Sequence, residues 1–363
     1  MKSFIAILFF FNISYAANNS ENVDFPGLNY PIEKLINSID KDNFMFFETP
    51  YSTLSTYDFD TVILQGETQN SNINIKLSIK KDNQINEIKP NFLRIYTNGR
   101  FWARFDLNYL TREQFKISFY NQYRTNANFK IVIYEIQTLR FQKKTKEQEV
   151  IISTNNLSLP DNIPFTIIRR NEWKAQPPKE NYIPHTPMAI TIHHTAGHYP
   201  QTLEESIAEI QFIQDYHQNA KGWIDIGYHF LVDPMGHIFE GRPFKAVGAH
   251  VANKNTNNIG ISIMGNYHPP KNDAVKPEIL KAIIDISNYL VSNYEILESS
   301  FRAHRDLAST DCPGDILYSY MPYLRGQIFQ KPLDLELDYK DMKYSLEQNA
   351  DKQSIRQLLQ YIK

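Results

Sequence analysis

The stretch Met188-Ala-Ile-Thr-Ile-His-His-Thr-Ala-Gly-His-Tyr-Pro-Gln-Thr-Leu-Glu-Glu-Ser206 changes period along its length. Met188 to His193 reads as a buried strand. Thr202 then stands three residues before Glu205, the spacing of a capping box. Ile207, Ile210 and Ile213 continue at helical spacing, so a helix is expected from Thr202 to Ala220. Working outward, Tyr228 to Glu240 reads as a hairpin turning at Pro234-Met-Gly236, and Asn258 to Met264 as a further strand. Lys276 to Tyr294 is amphipathic with helical period, and Leu317 to Phe329 supplies a third helix. Strands interleaved with helices predict an α/β domain with a mixed central sheet flanked by helices, over residues 164–330.

Upstream the texture differs. Asn72-Ile-Asn-Ile-Lys-Leu-Ser-Ile79 alternates polar and apolar residues, the period of a half-buried strand. Phe92 to Thr97, Phe101 to Phe105, Phe115 to Tyr120 and Phe129 to Ile136 repeat the pattern, with turn-prone residues such as Thr97-Asn-Gly99 between them. An all-β sandwich-like domain is expected over residues 56–142, with wall or glycan binding as its expected role and a spacer or lid as the alternative. Tyr96, Phe101 and Trp102 offer either a sugar-stacking platform or core packing. Residues 17–55 read as a mixed polar segment with a short helix around Ile32 to Ile39. Residues 143–163, charged at one end and Pro-containing at the other, read as a linker. Residues 331–363 form a charged tail with a helix expected near Ser354 to Ile362 and no assigned function.

Residues 1–16 have a basic start, an apolar run from Phe4 to Phe11, and small residues at Ser14 and Ala16. That is the pattern of a signal peptide cut after Ala16. The run falls short of the roughly 20 residues of a membrane span. An exported protein, periplasmic or secreted, is expected, with no stable membrane insertion. The 363 residues suggest two domains, and a hydrophobic content of 42% is ample for their cores. A formal net charge of −2 gives no global electrostatic reason to expect nucleic acid or an anionic membrane as partner.

Cys312 is the only cysteine, eight residues after His304 in Ala303-His-Arg-Asp-Leu-Ala-Ser-Thr-Asp-Cys-Pro-Gly314. A lone thiol forms no intrachain disulfide, which leaves a metal ligand, a nucleophile or a free buried thiol. The intervening polar residues favour a tight loop over a helix, and a loop of that length can fold both side chains onto one ion. With a third ligand from elsewhere the set would be His-His-Cys plus water, the composition of an open catalytic zinc site. His193 and His194 end a strand, and neighbours on a strand point to opposite faces, so at most one reaches a given metal. Periodicity alone does not choose between them. His304-Arg-Asp-Leu also echoes a kinase catalytic loop, but Asp311 stands where that motif needs Asn, and no Gly-rich loop precedes it.

Several blocks, in order, resemble the peptidoglycan recognition protein and type 2 N-acetylmuramoyl-L-alanine amidase family. They are Phe165 to Ala175, Ile192-His-His-Thr-Ala196, Trp223 to Val232 with Ile238-Phe-Glu-Gly-Arg242, Gly248-Ala-His250, Ile259 to Asn266, and Ala303 to Gly314. The resemblance covers roughly residues 165–330. It implies His193, His304 and Cys312 as ligands of a zinc cofactor, with Tyr228 beside the metal to polarise the scissile carbonyl. Thr310 occupies the position two before the cysteine, where some relatives carry lysine and others threonine. His250, Arg242 and Asn266 are implied substrate contacts, with a structural role as the alternative for each. The implied reaction is hydrolysis of the amide between the lactyl group of N-acetylmuramic acid and L-alanine, with peptidoglycan or muropeptides as substrate. Two other readings stay open: a binding-only recognition protein, and a cysteine hydrolase using Cys312 with His304. Retention of the cysteine ligand favours the enzyme.

Overall fold

The computed structural model describes residues 19–81, 84–141 and 157–330. The expected signal peptide, the expected linker up to residue 156 and the C-terminal segment from residue 331 lie outside the described residues. Residues 157–163 pack on the α/β unit: Leu157 and Leu159 are buried, and the Leu157 carbonyl accepts from the Lys245 amide.

The N-terminal unit is built from β1 (Asn19–Asn22), β2 (Ile32–Ile36), β3 (Met45–Glu48), β4 (Phe59–Thr68), β5 (Ile73–Lys81), β6 (Gln84–Ile88), β7 (Phe92–Ile95), β8 (Arg100–Thr111), β9 (Phe115–Asn121) and β10 (Phe129–Arg140). A six-stranded sheet runs β1-β10-β4-β8-β7 with β2 also on β10, and a four-stranded sheet runs β3-β9-β5-β6. All these pairings are antiparallel. Val62 and Leu64 of β4, Ile75 and Leu77 of β5, Phe105 of β8 and Phe119 of β9 meet in one core between the sheets. The architecture is the expected sandwich, but it begins earlier in the chain. β1, β2 and β3 come from the segment read as lying outside it. The short helix expected at Ile32 to Ile39 is β2. Ile32, Leu35, Ile36 and Ile39 have helical spacing, yet pairing with β10 sets the backbone and leaves Leu35 74% exposed. Tertiary pairing overrides local periodicity here.

The C-terminal unit contains β11 (Ala189–His194), α1 (Leu203–Asp215), β12 (Phe230–Val232), β13 (Ile238–Glu240), β14 (Asn258–Ile263), α2 (Pro277–Tyr294), β15 (Phe301–Ala303), α3 (Asp315–Ser319) and α4 (Met321–Phe329). The sheet order is β13-β12-β14-β11-β15. The β12–β14, β14–β11 and β11–β15 pairs are parallel and the β12–β13 hairpin is antiparallel, so the sheet is mixed. The last expected helix is divided into α3 and α4, with Pro322 in the first turn of α4. Ile190 and Ile192 of β11 point at α2 and α4 through Ile283, Ile286 and Leu324. α1 packs on the opposite face against Leu231 and Phe239. Thr202 caps α1 by accepting the Glu205 amide at 3.2 Å.

The two units share a core. Ile63, Trp102 and Leu139 of the sandwich cluster with Ile210, Phe212, Ile213 and Tyr216 of the α/β unit. α1 is therefore covered on two sides, and Glu204 is its only exposed residue. Phe101 and Trp102 are buried, and Tyr96 bonds to Asp215, so these aromatics serve packing and the interface rather than a surface platform. Arg100 and Glu209 form a bidentate ion pair at the junction, 1% and 0% exposed. Arg100 also donates to Gln65 and to the Gly66 carbonyl, and its guanidinium lies 4.0 Å from the Phe212 ring centroid. A buried pair broken on one side strands the other charge. Arg100→Met is expected to destabilise the protein by about 3–5 kcal/mol, and Arg100→Met with Glu209→Leu to recover most of that loss. Equilibrium denaturation of the two variants measures both.

Candidate metal site

Strand alternation decides between the two histidines. Ile190 and Ile192 occupy the α2 face, so His193 emerges on the α1 face and His194 on the other. His194 stays structural: its Nδ1 accepts from the Tyr267 amide at 3.3 Å, and its own amide points at Cys312 Sγ at 3.4 Å. β15 delivers His304 from the neighbouring position in the sheet. A 3-10 turn follows over His304 to Asp306, held by the Asp306 carboxylate on the Ala303 amide. The Arg305 amide donates to the Cys312 carbonyl at 2.9 Å and closes the loop that brings the thiol back. Thr310 Oγ1 accepts from the Cys312 amide at 3.2 Å, which fixes this side chain on the loop.

One nitrogen each of His193 and His304 and the sulfur of Cys312 lie within 4.8 Å of one another. His193 Nδ1 is 3.6 Å from Cys312 Sγ. A tetrahedral zinc site, with sulfur at about 2.3 Å and nitrogen at about 2.05 Å, separates those two atoms by about 3.6 Å. The donor set therefore fits zinc in number, type and spacing. Burial, with the neighbouring His250 and His304, holds His193 well below the usual imidazole range, and burial holds His304 down to about 4. Both rings are neutral at pH 7, with lone pairs available to a metal. Burial also pushes the Cys312 thiol up to about 12. A thiol in that state is a poor nucleophile, and a cation among these donors would favour its thiolate.

His250 sets the tautomer of His193. Its Nε2 lies 3.0 Å from the Asn258 carbonyl, which can only accept, so Nε2 carries the proton. Its Nδ1 is then an acceptor and takes the Nε2 proton of His193 at 3.0 Å. The Nδ1 lone pair of His193 is left facing Cys312 and His304. Gly248 and Gly260 make room for this ring: a Cβ at either would come within 2.6 to 2.7 Å of it.

Tyr228 borders the same cluster, with its ring 5.4 Å from that of His193. Burial and the Cys312 sulfur raise its phenol above the usual range, so it remains a proton donor. Next to it stands His217, ring centroid 5.7 Å away, a residue with no spacing or motif around it that would single it out. Ser262, the register partner of His193, borders the phenol as well. The three expected substrate contacts face other partners. His250 is buried as described. Arg242 is 3% exposed and donates to the Asp225, Ile226 and Val247 carbonyls. Asn266 is buried, and its Oδ1 accepts from the His268 amide at 3.1 Å.

A family model described as N-acetylmuramoyl-L-alanine amidase matches residues 184–315, which include all of these site residues. Peptidoglycan-recognition protein SC2 of Drosophila melanogaster is 35% identical over 159 residues, covering 42% of this chain and 83% of that protein. Peptidoglycan recognition protein 1 of Mus musculus is 34% identical over 157 residues, covering 42% of this chain and 84% of that protein. Among solved structures, Drosophila peptidoglycan recognition protein SD aligns with a TM-score of 0.41 and 27% identity, covering 44% of this chain and 94% of that one.

Loss of a partner that orients a ligating histidine costs about 10- to 100-fold in metal affinity. His250→Ala is expected to weaken zinc binding by that factor, as read by competition with a chelating dye. An unchanged affinity would remove the tautomer argument.

Proposed function

The chain belongs to the peptidoglycan recognition protein and type 2 amidase family, and on that premise we propose that it is a zinc-dependent N-acetylmuramoyl-L-alanine amidase. The observation that carries this reading is the convergence of His193, His304 and Cys312, with the free lone pair of His193 turned toward the other two. The bond cleaved would be the amide between the lactyl group of N-acetylmuramic acid and L-alanine of the stem peptide. The relatives' names specify peptidoglycan recognition, which supports peptidoglycan and its fragments as the ligand class. Among the described residues, no helix is long and apolar enough to cross a membrane. With the signal-like first 16 residues, this supports an exported enzyme, periplasmic or secreted.

Bound zinc would supply an acidified water and polarise the amide carbonyl. The chain's own groups would do the rest. Neutral His193 and His304 hold their lone pairs on the site side, and His250, by accepting the Nε2 proton of His193, keeps its Nδ1 unprotonated. The Tyr228 phenol, kept protonated, donates toward the carbonyl oxygen as negative charge grows on it. Thr310 has its oxygen anchored by the Cys312 amide, which leaves its hydroxyl proton free to donate. We assign Arg242 and His250 to positioning, since each uses its ring or guanidinium nitrogens on buried partners. Asn266 is assigned to shaping the loop after β14.

The test is mass analysis of sacculus digests with and without chelator. Release of free stem peptides that stops with chelator and returns with zinc is the expected result. Cys312→Ala is expected to abolish release, and Tyr228→Phe to lower kcat by about 10²- to 10³-fold. Binding of peptidoglycan without any bond cleavage would instead favour a recognition protein. Release indifferent to chelator and stopped by alkylation would favour the cysteine hydrolase.

A further inference from the structure

Between α1 and β12 the chain makes one π-helical turn, Tyr216–Ala220. Such turns carry a residue more than an α-helical turn and recur at functional sites. This one is held from both sides. On its outer side lies the sandwich. Asp215, immediately before the turn, accepts from the Trp102 indole at 2.6 Å and from Arg94 and Tyr96. Arg104 donates to the Ala220 carbonyl at 3.0 Å. Lys221 reaches Gln137 on β10. Gly222 has φ +71°, and a Cβ there would come within 2.8 Å of the Phe141 ring. On its inner side the turn presents His217 to the site. His217 Nδ1 accepts the Gly227 amide at 3.1 Å, and its carbonyl accepts the Trp223 amide at 2.9 Å. Its ring packs between Trp223 and Tyr228, at 4.6 and 5.7 Å.

We propose that the sandwich is a positioning element for Tyr228, acting through this turn, with His217 as the residue that passes the constraint to the phenol. Tyr228 is flanked by His193 on one side and His217 on the other. His193 is fixed by the sheet. His217 is fixed by a turn whose two ends are gripped by β7, β8 and β10 of the other unit. Reverting the turn to α-helical register would shift the following chain by one residue, about 100° of rotation and about 1.5 Å of rise, pulling Ala220 from Arg104 and His217 from Gly227. The family match begins at residue 184, so the clamp on this turn comes from a part of the chain outside it.

The proposal rests on the amidase reading for the role of Tyr228, and its test has an arm that does not. Arg104→Met and Asp215→Asn each loosen the grip without touching the site. Hydrogen exchange at the Trp223 and Gly227 amides, both held by His217, is expected to quicken about tenfold in either variant while α2 amides stay unchanged. Unchanged exchange at Gly227 overturns the proposal whether or not the protein is an amidase. In the zinc-loaded enzyme, kcat is expected to fall about tenfold with KM within about twofold, and Arg104→Lys to restore most of it. In a Tyr228→Phe background the same changes should cost nothing further; an equal cost there would show that the clamp does not act through the phenol and would overturn it. Wild-type protein that releases no stem peptide would strike the amidase reading alone and leave the exchange arm to decide.

Discussion

The structure turns on the burial of α1 from two sides. A helix of this length ordinarily shows one apolar stripe to a core and a polar face to water. In α1, Ser206, Ile210 and Ile213 face the α/β sheet, and Glu209 and Phe212 face the sandwich. Burying Glu209 is unfavourable on its own, since a carboxylate loses its hydration. Arg100 offsets that cost with a two-pronged bond, and its own remaining protons reach Gln65 and the Gly66 carbonyl. Such a pair adds little net stability over a well-packed apolar pair, yet breaking it from one side strands a buried charge.

The metal cluster depends on a different constraint, the pleat of β11. Its even positions build the core with α2 and its odd positions build the site face, so the fold selects His193 without any reference to chemistry. The parallel neighbours then set the rest. β14 places Ser262 beside His193, β15 ends one residue before His304, and Asn258 at the start of β14 anchors His250. His193 is thus held on the sheet and His304 follows directly from it, while Cys312 is returned by the loop that the Arg305 amide closes. This is the arrangement that keeps a donor set open without letting it collapse.

Much of this was legible in the sequence, and the failures have physical causes. The α/β unit was readable because its strands and helices have clean, different periods and a capping box marks the start of α1. The choice of His193 over His194 was not: alternation puts the two on opposite faces, and only the packing of Ile190 and Ile192 against α2 shows which face carries the site. β2 was misread because Ile32, Leu35, Ile36 and Ile39 satisfy a helical stripe, and only the pairing with β10 decides otherwise. The two-sided burial of β4 had a signal in the continuous Val62-Ile-Leu64, since Val62 and Leu64 enter the sandwich core and Ile63 enters the shared one. Arg100 and Asp215 gave none. A charged residue in a strand or a helix reads as solvated surface until its partner from a distant segment is known.

The same burial bears on what the sandwich is. A module that only carries an enzyme to its polymer needs a linker and a free surface. Here the contacts are a shared apolar core, a buried ion pair and an aspartate with three donors from the other unit. Of the residues that sequence offered as a stacking platform, Tyr96 and Trp102 are used in those contacts and Phe101 is buried in the sandwich's own core, so polysaccharide recognition cannot come from them. Removing the sandwich would expose Phe212 and Tyr216 and leave Glu209 without its cation, on the very helix that packs against the site face. The two units are therefore joined where loss of one alters the other, and the boundary between them, clear in sequence, is not a boundary in the packing.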